Sequence, residues 1–248
     1  MFDNLLDPIL GPLLNSMHPL ALTILVAFAV SIITIIAYKL LTDQDLMKRL
    51  KSEMKEMQKE MKTLKDHPEK MMQVQKKAME TNMKYMAKSM KPTLITFIPL
   101  IIIFGWMHAN LGYLPIVPDQ DFMTTIEFEG YDGLVTLSAP DALNILSNSS
   151  QKVINNEVTW ALSGPAGEYV LEYNFQGEIH TRNLIISEQL EYVEPELKIK
   201  NSRLKSLNIN NEKLKVLDLG FMKLGWLGVY IICSLIFSMS LRKWLKIA

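Results

Sequence analysis

Three long stretches without a charged side chain limit what this chain can fold into. Residues 20–38, 92–111 and 224–241 contain no Asp, Glu, Lys or Arg. An α-helix rises 1.5 Å per residue, so about 20 residues match the ~30 Å hydrocarbon core of a bilayer. Uncharged runs of this length are longer than the buried helices of most soluble proteins require. We therefore predict transmembrane helices at residues 20–41, 92–111 and 224–241.

Charges are sorted between the segments that flank these runs, although the whole chain has no net charge. Residues 39–91 hold 14 Lys or Arg against 8 Asp or Glu, whereas residues 112–222 hold 8 against 16. The tail 242–248 is basic. The segment 1–19 is acidic, and the lack of a positively charged start argues against a cleaved signal peptide. Because Lys and Arg collect on the cytoplasmic side, we predict a multi-pass cell-membrane protein. Segments 43–91 and 242–248 would be cytoplasmic, and segments 1–19 and 112–222 would lie outside.

The predicted cytoplasmic segment is unusually rich in methionine. Residues 47–90 contain ten of the 16 methionines in the chain. Alternating spacings of three and four residues predict a heptad seam on a first helix, and Pro68 interrupts it. A second apolar series follows, so we expect an antiparallel coiled-coil hairpin. Its candidate client-binding residues are Met47, Leu50, Met54, Met57, Met61, Met72, Met79, Met83, Met86 and Met90.

The composition of this seam leaves two interpretations open. Methionine is apolar and a good helix former, so the hairpin could be a plain spacer. Methionine is also flexible and packs without strong shape preference, which suits a surface that accepts many apolar clients. The excess of lysine could meet anionic lipids or ribosomal RNA, or could simply solvate a helix face.

Small and hydroxylated residues form stripes on the predicted spans. Their helical spacing predicts either ordinary helix packing or a shallow polar groove that lowers the cost of moving peptide through lipid. Lys39 would snorkel to the interface or attract acidic segments near the groove. The candidate groove residues are Thr23, Ser31, Thr34, Tyr38, Lys39, Thr93, Thr96, Tyr230, Ser234 and Ser238.

The segment 112–222 has the composition of a small β-sandwich. Runs at residues 122–128, 133–138 and 156–187 are rich in β-forming residues, with turn signals at Gly164–Gly167 and Gln176–Glu178. "LKIKN" and "LKVLDL" add two candidate strands. No catalytic cluster stands out, the only cysteine is Cys233, and the four histidines lack ligand spacing. We therefore predict no enzyme activity, no cofactor and no metal site, and a passive cap or partner-binding module.

The order of these segments resembles the archaeal three-span branch of the YidC/Oxa insertase superfamily, which is related to the third subunit of the ER membrane protein complex. Two strings carry the resemblance, "MKYMAKSMKPTLITFIPLIIIFGWM" at 83–107 and "LGWLGVYIICSLIFSMSLRKWL" at 224–245. The resemblance implies energy-independent insertion of membrane proteins, a groove among the spans and a hairpin that receives the client. Some members place a positive charge within the first span, whereas the nearest candidate here, Lys39, lies at its edge.

The leading hypothesis is thus a membrane protein insertase or chaperone. Its expected partners are nascent membrane proteins and the lipid bilayer, with the ribosome or a translocon as further candidates and no DNA. The alternative is a membrane scaffold or tether that binds one fixed partner through the coiled coil and another through the β domain. An ion channel is disfavoured because the spans contain no acidic residue.

Overall fold

The structure is a computed structural model that describes residues 3–64, 66–200, 202–245 and 247. The chain divides into two compact units. The first, the helical unit, comprises Met1–Trp106 together with Val216–Ala248, and the second, the β unit, comprises Met107–Lys215.

Five helices are described in the chain. They are α1 Asp3–Ser16, α2 Pro19–Leu41, α3 Gln44–Thr63, α4 Pro68–Leu111 and α5 Trp226–Trp244. Three of them, α2, α4 and α5, are long and apolar enough to cross a membrane. This result confirms the prediction of three apolar helices from the uncharged runs.

Helix α2 begins and ends with local hydrogen bonds that the sequence supplies. The backbone N–H of Leu20 donates to Nδ1 of His18, which precedes Pro19 at the first helical position. At the other end the Thr42 N–H donates to the carbonyl of Tyr38. The next helix, α3, is capped by Asp43, which accepts bonds from the N–H groups of Asp45 and Leu46.

Helix α4 is a single helix of 44 residues, about 66 Å long, that continues through Pro92 and Pro99. It begins at Pro68, where the sequence predicts a break. The predicted change from hairpin to span after residue 91 therefore falls inside one continuous helix. Each internal proline lacks an N–H, so the carbonyls four residues earlier, at Lys88 and Ile95, lose their helical donors.

Helices α2 and α5 form the closest-packed pair of the helical unit. Small residues on α2, Ala27 and Ser31, are almost fully buried and permit this close approach. The rings of Phe28 and Phe237 meet edge to face with centroids 5.2 Å apart. Helix α4 contacts α5 chiefly near one end, where the ring of Phe104 meets Trp226 at 5.6 Å and Tyr230 at 4.8 Å.

A short hairpin precedes α5 in the helical unit. Strand Leu217–Asp218 pairs antiparallel with strand Lys223–Leu224. These are the last two strands of the chain, β10 and β11. The predicted strand in "LKVLDL" thus exists in part, but it belongs to this hairpin.

The β unit contains two antiparallel sheets. One has the strand order β3-β5-β1-β9-β8 and the other β4-β2-β6-β7. The strands are β1 Phe122–Phe128, β2 Leu134–Ser138, β3 Asn144–Ile145, β4 Ser150–Lys152, β5 Glu157–Ser163, β6 Gly167–Phe175, β7 Glu178–Ile186, β8 Glu196–Lys198 and β9 Leu204–Ile209.

Inward-facing residues of both sheets form one apolar core, as in a β-sandwich. Trp160 from the first sheet and Tyr173 from the second are fully buried, with ring centroids 5.9 Å apart. The predicted turn between β6 and β7 is present, and Gln176 and Gly177 have φ of 53° and 81°, as a two-residue hairpin turn requires. Sequence reasoning missed β9, which lies between β1 and β8 in the first sheet.

Candidate functional site

A cavity of about 310 Å³ lies among the three apolar helices, and we call it the groove cavity. All three helices contribute hydroxyl groups to its wall, interleaved with apolar side chains. The lining residues are Val30, Ser31, Thr34, Thr93, Thr96, Phe97, Leu100, Tyr230, Ser234, Leu235 and Ser238. The polar stripes of the three spans, which are far apart in sequence, are therefore brought to one place.

A second cavity of about 240 Å³ shares Thr34, Thr93 and Thr96 with the first. We call it the cationic cavity because Arg242 lies in its wall together with Tyr38, and Tyr85, Ser89 and Pro92 complete the lining. The guanidinium carbon of Arg242 is 5.0 Å from the centre of the Tyr38 ring, within the range of a cation–π contact. The two cavities thus form one region that carries hydroxyl groups and has a positive charge at one end.

Several hydroxyl groups of the groove cavity donate to carbonyls of their own helices. The Ser31 hydroxyl donates to Ala27 O at 2.7 Å, that of Thr96 to Pro92 O at 3.0 Å and that of Ser234 to Ile231 O at 3.0 Å. Each oxygen keeps lone pairs that can accept a further bond. The wall of the groove cavity therefore presents acceptors, which suit the N–H groups of a peptide.

Two predicted groove residues lie elsewhere. Thr23 is completely buried on α2 and donates to Pro19 O at 2.8 Å, and it does not line either cavity. Lys39 is exposed at the end of α2 and also lies outside both linings. Arg242, which follows the third apolar run, is the basic residue in the wall of the cationic cavity. The sequence signal for it is the stripe of Tyr230, Ser234 and Ser238, which points along α5 towards Arg242.

The methionines of the hairpin fall into two structural groups. Met47 and Leu50 are buried, and Met54, Met57 and Met61 on α3 are half-buried. By contrast, the methionines predicted on α4 have more than half of their surface exposed. We call this second group the methionine face, and it consists of Met72, Met79, Met83, Met86 and Met90.

The face of α4 that is partly buried is a different one from the methionine face. Its members recur at helical spacing and are Met71, Val74, Ala78, Thr81, Tyr85 and Ser89. A cavity of about 310 Å³ lies between α3 and α4, lined by Met54 and Met61 from α3 and by Ala78 and Asn82 from α4, among others. The packing between the two helices is therefore incomplete over this stretch.

The methionine face continues along α4 into the groove cavity. Residues seven apart on an α-helix lie nearly in line, with a drift of about 20°. Met83 and Met90 are thus followed by Phe97, and Met86 is followed by Thr93. Both Phe97 and Thr93 line the groove cavity, so an exposed thioether surface leads directly to a hydroxyl-lined one on a single helix.

A metal site requires several ligand side chains placed around one ion. No group of three or more His, Cys, Asp or Glu side chains is placed to hold an ion in the part of the chain that is described. The geometry combines an exposed apolar helix face, a largely apolar cavity that carries hydroxyl groups, and a cationic end.

Comparison with known proteins supports an assignment to one family. The model of the family described as integral membrane protein EMC3/TMCO1-like matches residues 5–137, which is more than half of the chain. The match includes α2, α3 and α4, and it ends within β2, before most of the β unit and α5. No curated protein and no solved structure matches the chain. The chain therefore belongs to the EMC3/TMCO1-like family of integral membrane proteins, within the YidC/Oxa/Alb3 insertase superfamily.

Proposed function

We propose that this protein is a membrane protein insertase that receives apolar segments of nascent proteins on its methionine face and passes them to the groove cavity. Membership of the family supports a role in membrane insertion at the general level. The observation that carries the specific proposal is the continuity of Met83, Met90 and Phe97 on α4, from the exposed hairpin to the wall of the groove cavity.

The exposure of the methionine face supports client contact over a purely structural duty. A seam residue of a coiled coil is normally buried against its partner helix. Met83 has 66% of its surface exposed, and Met79 has 62%. Thioether side chains with three rotatable bonds adapt to varied apolar shapes, so this surface suits clients that differ in sequence.

The groove cavity would lower the barrier for the polar part of a client. A backbone N–H without a partner in hydrocarbon costs several kcal/mol. Oxygen atoms of Thr34, Thr96 and Ser234 can accept hydrogen bonds from such N–H groups one after another. The apolar segment of the client would meanwhile contact lipid through the open side of the groove cavity. No chemical energy source is needed, because burial of an apolar span in the bilayer is itself favourable.

The charge distribution supports an orientation for this path. The basic hairpin and the basic end of α5 would face the cytoplasm, and the N-terminal segment and the acidic β unit would lie outside. The methionine face would then stand where polypeptides emerge from ribosomes, and a ribosome or translocon would be a natural neighbour.

Site-specific photo-crosslinking during translation of a single-span client tests the proposal. A photoreactive residue at Met83 or Phe97 should capture the apolar segment of the nascent chain, with the Met83 adduct at shorter chain lengths. Lys77 provides the matched control, since it is exposed on another side of α4.

Equal capture at Lys77 and Met83 would contradict a client-specific face. Capture of one stoichiometric protein that does not change with the nascent chain would favour the scaffold hypothesis instead. Orientation is tested separately, by labelling single cysteines in the hairpin and the β unit of intact cells with an impermeant reagent.

A further inference from the structure

The hairpin β10–β11, immediately before α5, has one apolar side and one polar side. Leu217 pairs with Leu224, and Asp218 pairs with Lys223. Opposed residues of an antiparallel pair share a face, and alternate residues along a strand share it too. Leu217, Leu219, Met222 and Leu224 therefore lie on one face, whereas Asp218 and Lys223 lie on the other.

The turn of this hairpin is well defined. The Leu219 N–H donates to Met222 O at 3.0 Å, and the Gly220 N–H donates to Oδ1 of Asp218 at 2.8 Å. Gly220 has φ of +79°, a left-handed conformation that a side chain would strain. An ion pair of 3.3 Å joins Lys223 Nζ to Asp218 Oδ2 on the polar face.

This defined turn nevertheless presents large apolar side chains to the surroundings. Phe221, which lies in the turn and outside the paired strands, has 86% of its surface exposed, and Leu219 has 46% and Met222 41%. The geometry of a turn at glycine does not require an aromatic or methionine side chain. A cluster of three exposed apolar side chains therefore indicates contact with a partner or a membrane outside the hairpin.

The chain fixes the hairpin close to the bilayer. Helix α5 has 19 residues and spans about 28 Å, nearly the whole hydrocarbon core, so Trp226 at its start falls near the boundary. Met222 precedes Trp226 by four residues and cannot be more than about 14 Å from it. Leu227 and Ile231, in the first turns of α5, are apolar and nearly half exposed as well.

We propose that the β10–β11 hairpin is a membrane-surface anchor that inserts Phe221, Leu219 and Met222 among the lipids next to the start of α5. Asp218 and Lys223 would face the headgroups and water. Amphipathic elements with one apolar and one charged face bind interfaces in this manner. The anchor would fix the rotation and depth of α5, and it does not depend on the insertase proposal, since a scaffold with the same span would use it equally.

Fluorescence quenching in reconstituted vesicles tests this anchor. In a Cys233→Ser background, Phe221→Cys and Lys223→Cys variants carry an environment-sensitive dye, with exposed Asp141→Cys of the β unit as the water-facing control. Vesicles contain either plain lipid or lipid with a nitroxide near the headgroup, and iodide serves as the aqueous quencher. We expect the dye at position 221 to be quenched by nitroxide lipid and to be several-fold less sensitive to iodide than the dye at 141, with position 223 closer to 141.

Two outcomes would overturn the proposal. Full access of iodide to position 221, without quenching by nitroxide lipid, would mean that the tip stands in water. Protection from iodide without quenching by nitroxide lipid would mean that a protein surface, from this chain or a second copy, covers the tip. Normal insertion activity in either case would leave the insertase proposal intact.

Discussion

The guanidinium of Arg242 at the end of α5 lies over the ring of Tyr38 at the end of α2, with 5.0 Å between guanidinium carbon and ring centre. This contact with α2 holds the positive charge of α5 at the wall of the cationic cavity. Cation–π contacts of this kind contribute about 0.5–2 kcal/mol.

Replacement of Arg242 by glutamine should reduce the insertion of clients that carry acidic external tails by several-fold. The reason is that Arg242 is the charge at the cavity, whereas Lys39 is exposed outside it. Arg242→Lys should retain part of the activity, because an ammonium keeps the charge but lacks the planar stacking on Tyr38. Insertion into proteoliposomes, scored by protection of the tail from protease, provides the measurement.

Lys39→Gln is the matched control for this prediction and should stay near the wild-type level. A larger loss in Lys39→Gln than in Arg242→Gln would show that the first helix supplies the functional charge after all.

Removal of groove hydroxyls should slow the passage of polar tails. In the triple variant Thr34→Val, Thr96→Val and Ser234→Ala, three acceptor oxygens leave the groove cavity while its shape is nearly kept. Lost hydrogen bonds of about 1 kcal/mol each would raise the barrier by about 1–3 kcal/mol. That corresponds to roughly a 5- to 150-fold lower insertion rate, at 1.4 kcal/mol per factor of ten.

Thr23→Val removes the same chemical group from a buried position outside the groove cavity and so controls for helix packing. Clients without a polar tail provide the second control, since they need few acceptors. An equal loss for tailed and tailless clients would assign the hydroxyls to packing alone.

Stiffening of the methionine face should narrow the range of clients. Leucine at positions 79, 83, 86 and 90 keeps the apolar character and helix propensity but removes the flexible thioethers. We expect capture of clients with bulky or aromatic spans to fall, with α-helical content unchanged by circular dichroism. Competition among clients of different span composition, read out by crosslinking at an unchanged position such as Met72, gives the measurement.

The matched control replaces Met54, Met57 and Met61 on α3, which are half-buried. Leucine there should affect stability more than client range. Tolerance of leucine on both helices would support the scaffold hypothesis.

The apolar helices were predictable because a bilayer imposes both a length and an absence of charge, and both can be read directly from a sequence. The continuity of α4 from the hairpin into the span was not predictable, because Pro92, at their junction, normally ends a helix in water. In hydrocarbon the alternative to a helix leaves many more carbonyls and N–H groups without partners, so the helix persists through a proline.

The candidate groove was predictable as a set of stripes, but its composition depends on packing. Thr23 and Ser31 look alike in sequence, and only the approach of α5 decides that Ser31 lines the groove cavity while Thr23 does not. Strand β9 was missed because a register shift beside Glu127 and Phe128 places Leu204 and Leu207, three residues apart, in the same core, which breaks the alternation that marks a strand. On α4, the methionine face and the partly buried face both recur at helical spacing, so spacing alone does not tell which of the two faces α3.

The core of the β unit should depend strongly on Trp160. Its ring is fully buried, and its indole N–H donates to Ser149 O at 3.1 Å. Trp160→Ala should destabilise the β unit by about 3–5 kcal/mol through lost burial and a cavity. Val170→Ala, on a residue with 45% of its surface exposed, should change stability by about 0.5 kcal/mol or less. Hydrogen exchange of residues 122–209 in the full-length protein measures both, and similar protection in the two variants would contradict the assigned core.

Alkaline conditions should weaken the β unit through Tyr173. Burial raises the pKa of Tyr173 from 10.0 to about 12, although the hydrogen bond of 2.5 Å with the Thr124 hydroxyl acts in the opposite direction. As the pH rises, the unfolded chain therefore loses this proton before the folded chain does. The contribution of Tyr173 to the free energy of unfolding is fully present below pH 10 and falls by about 2–3 kcal/mol as the pH rises to about 12. Tyr173→Phe should remove that part of the slope, and hydrogen exchange of the full-length protein across this pH range measures it. An unchanged slope in Tyr173→Phe would assign the alkaline loss to another group, for which Tyr192, whose pKa burial also raises to about 12, is the first candidate.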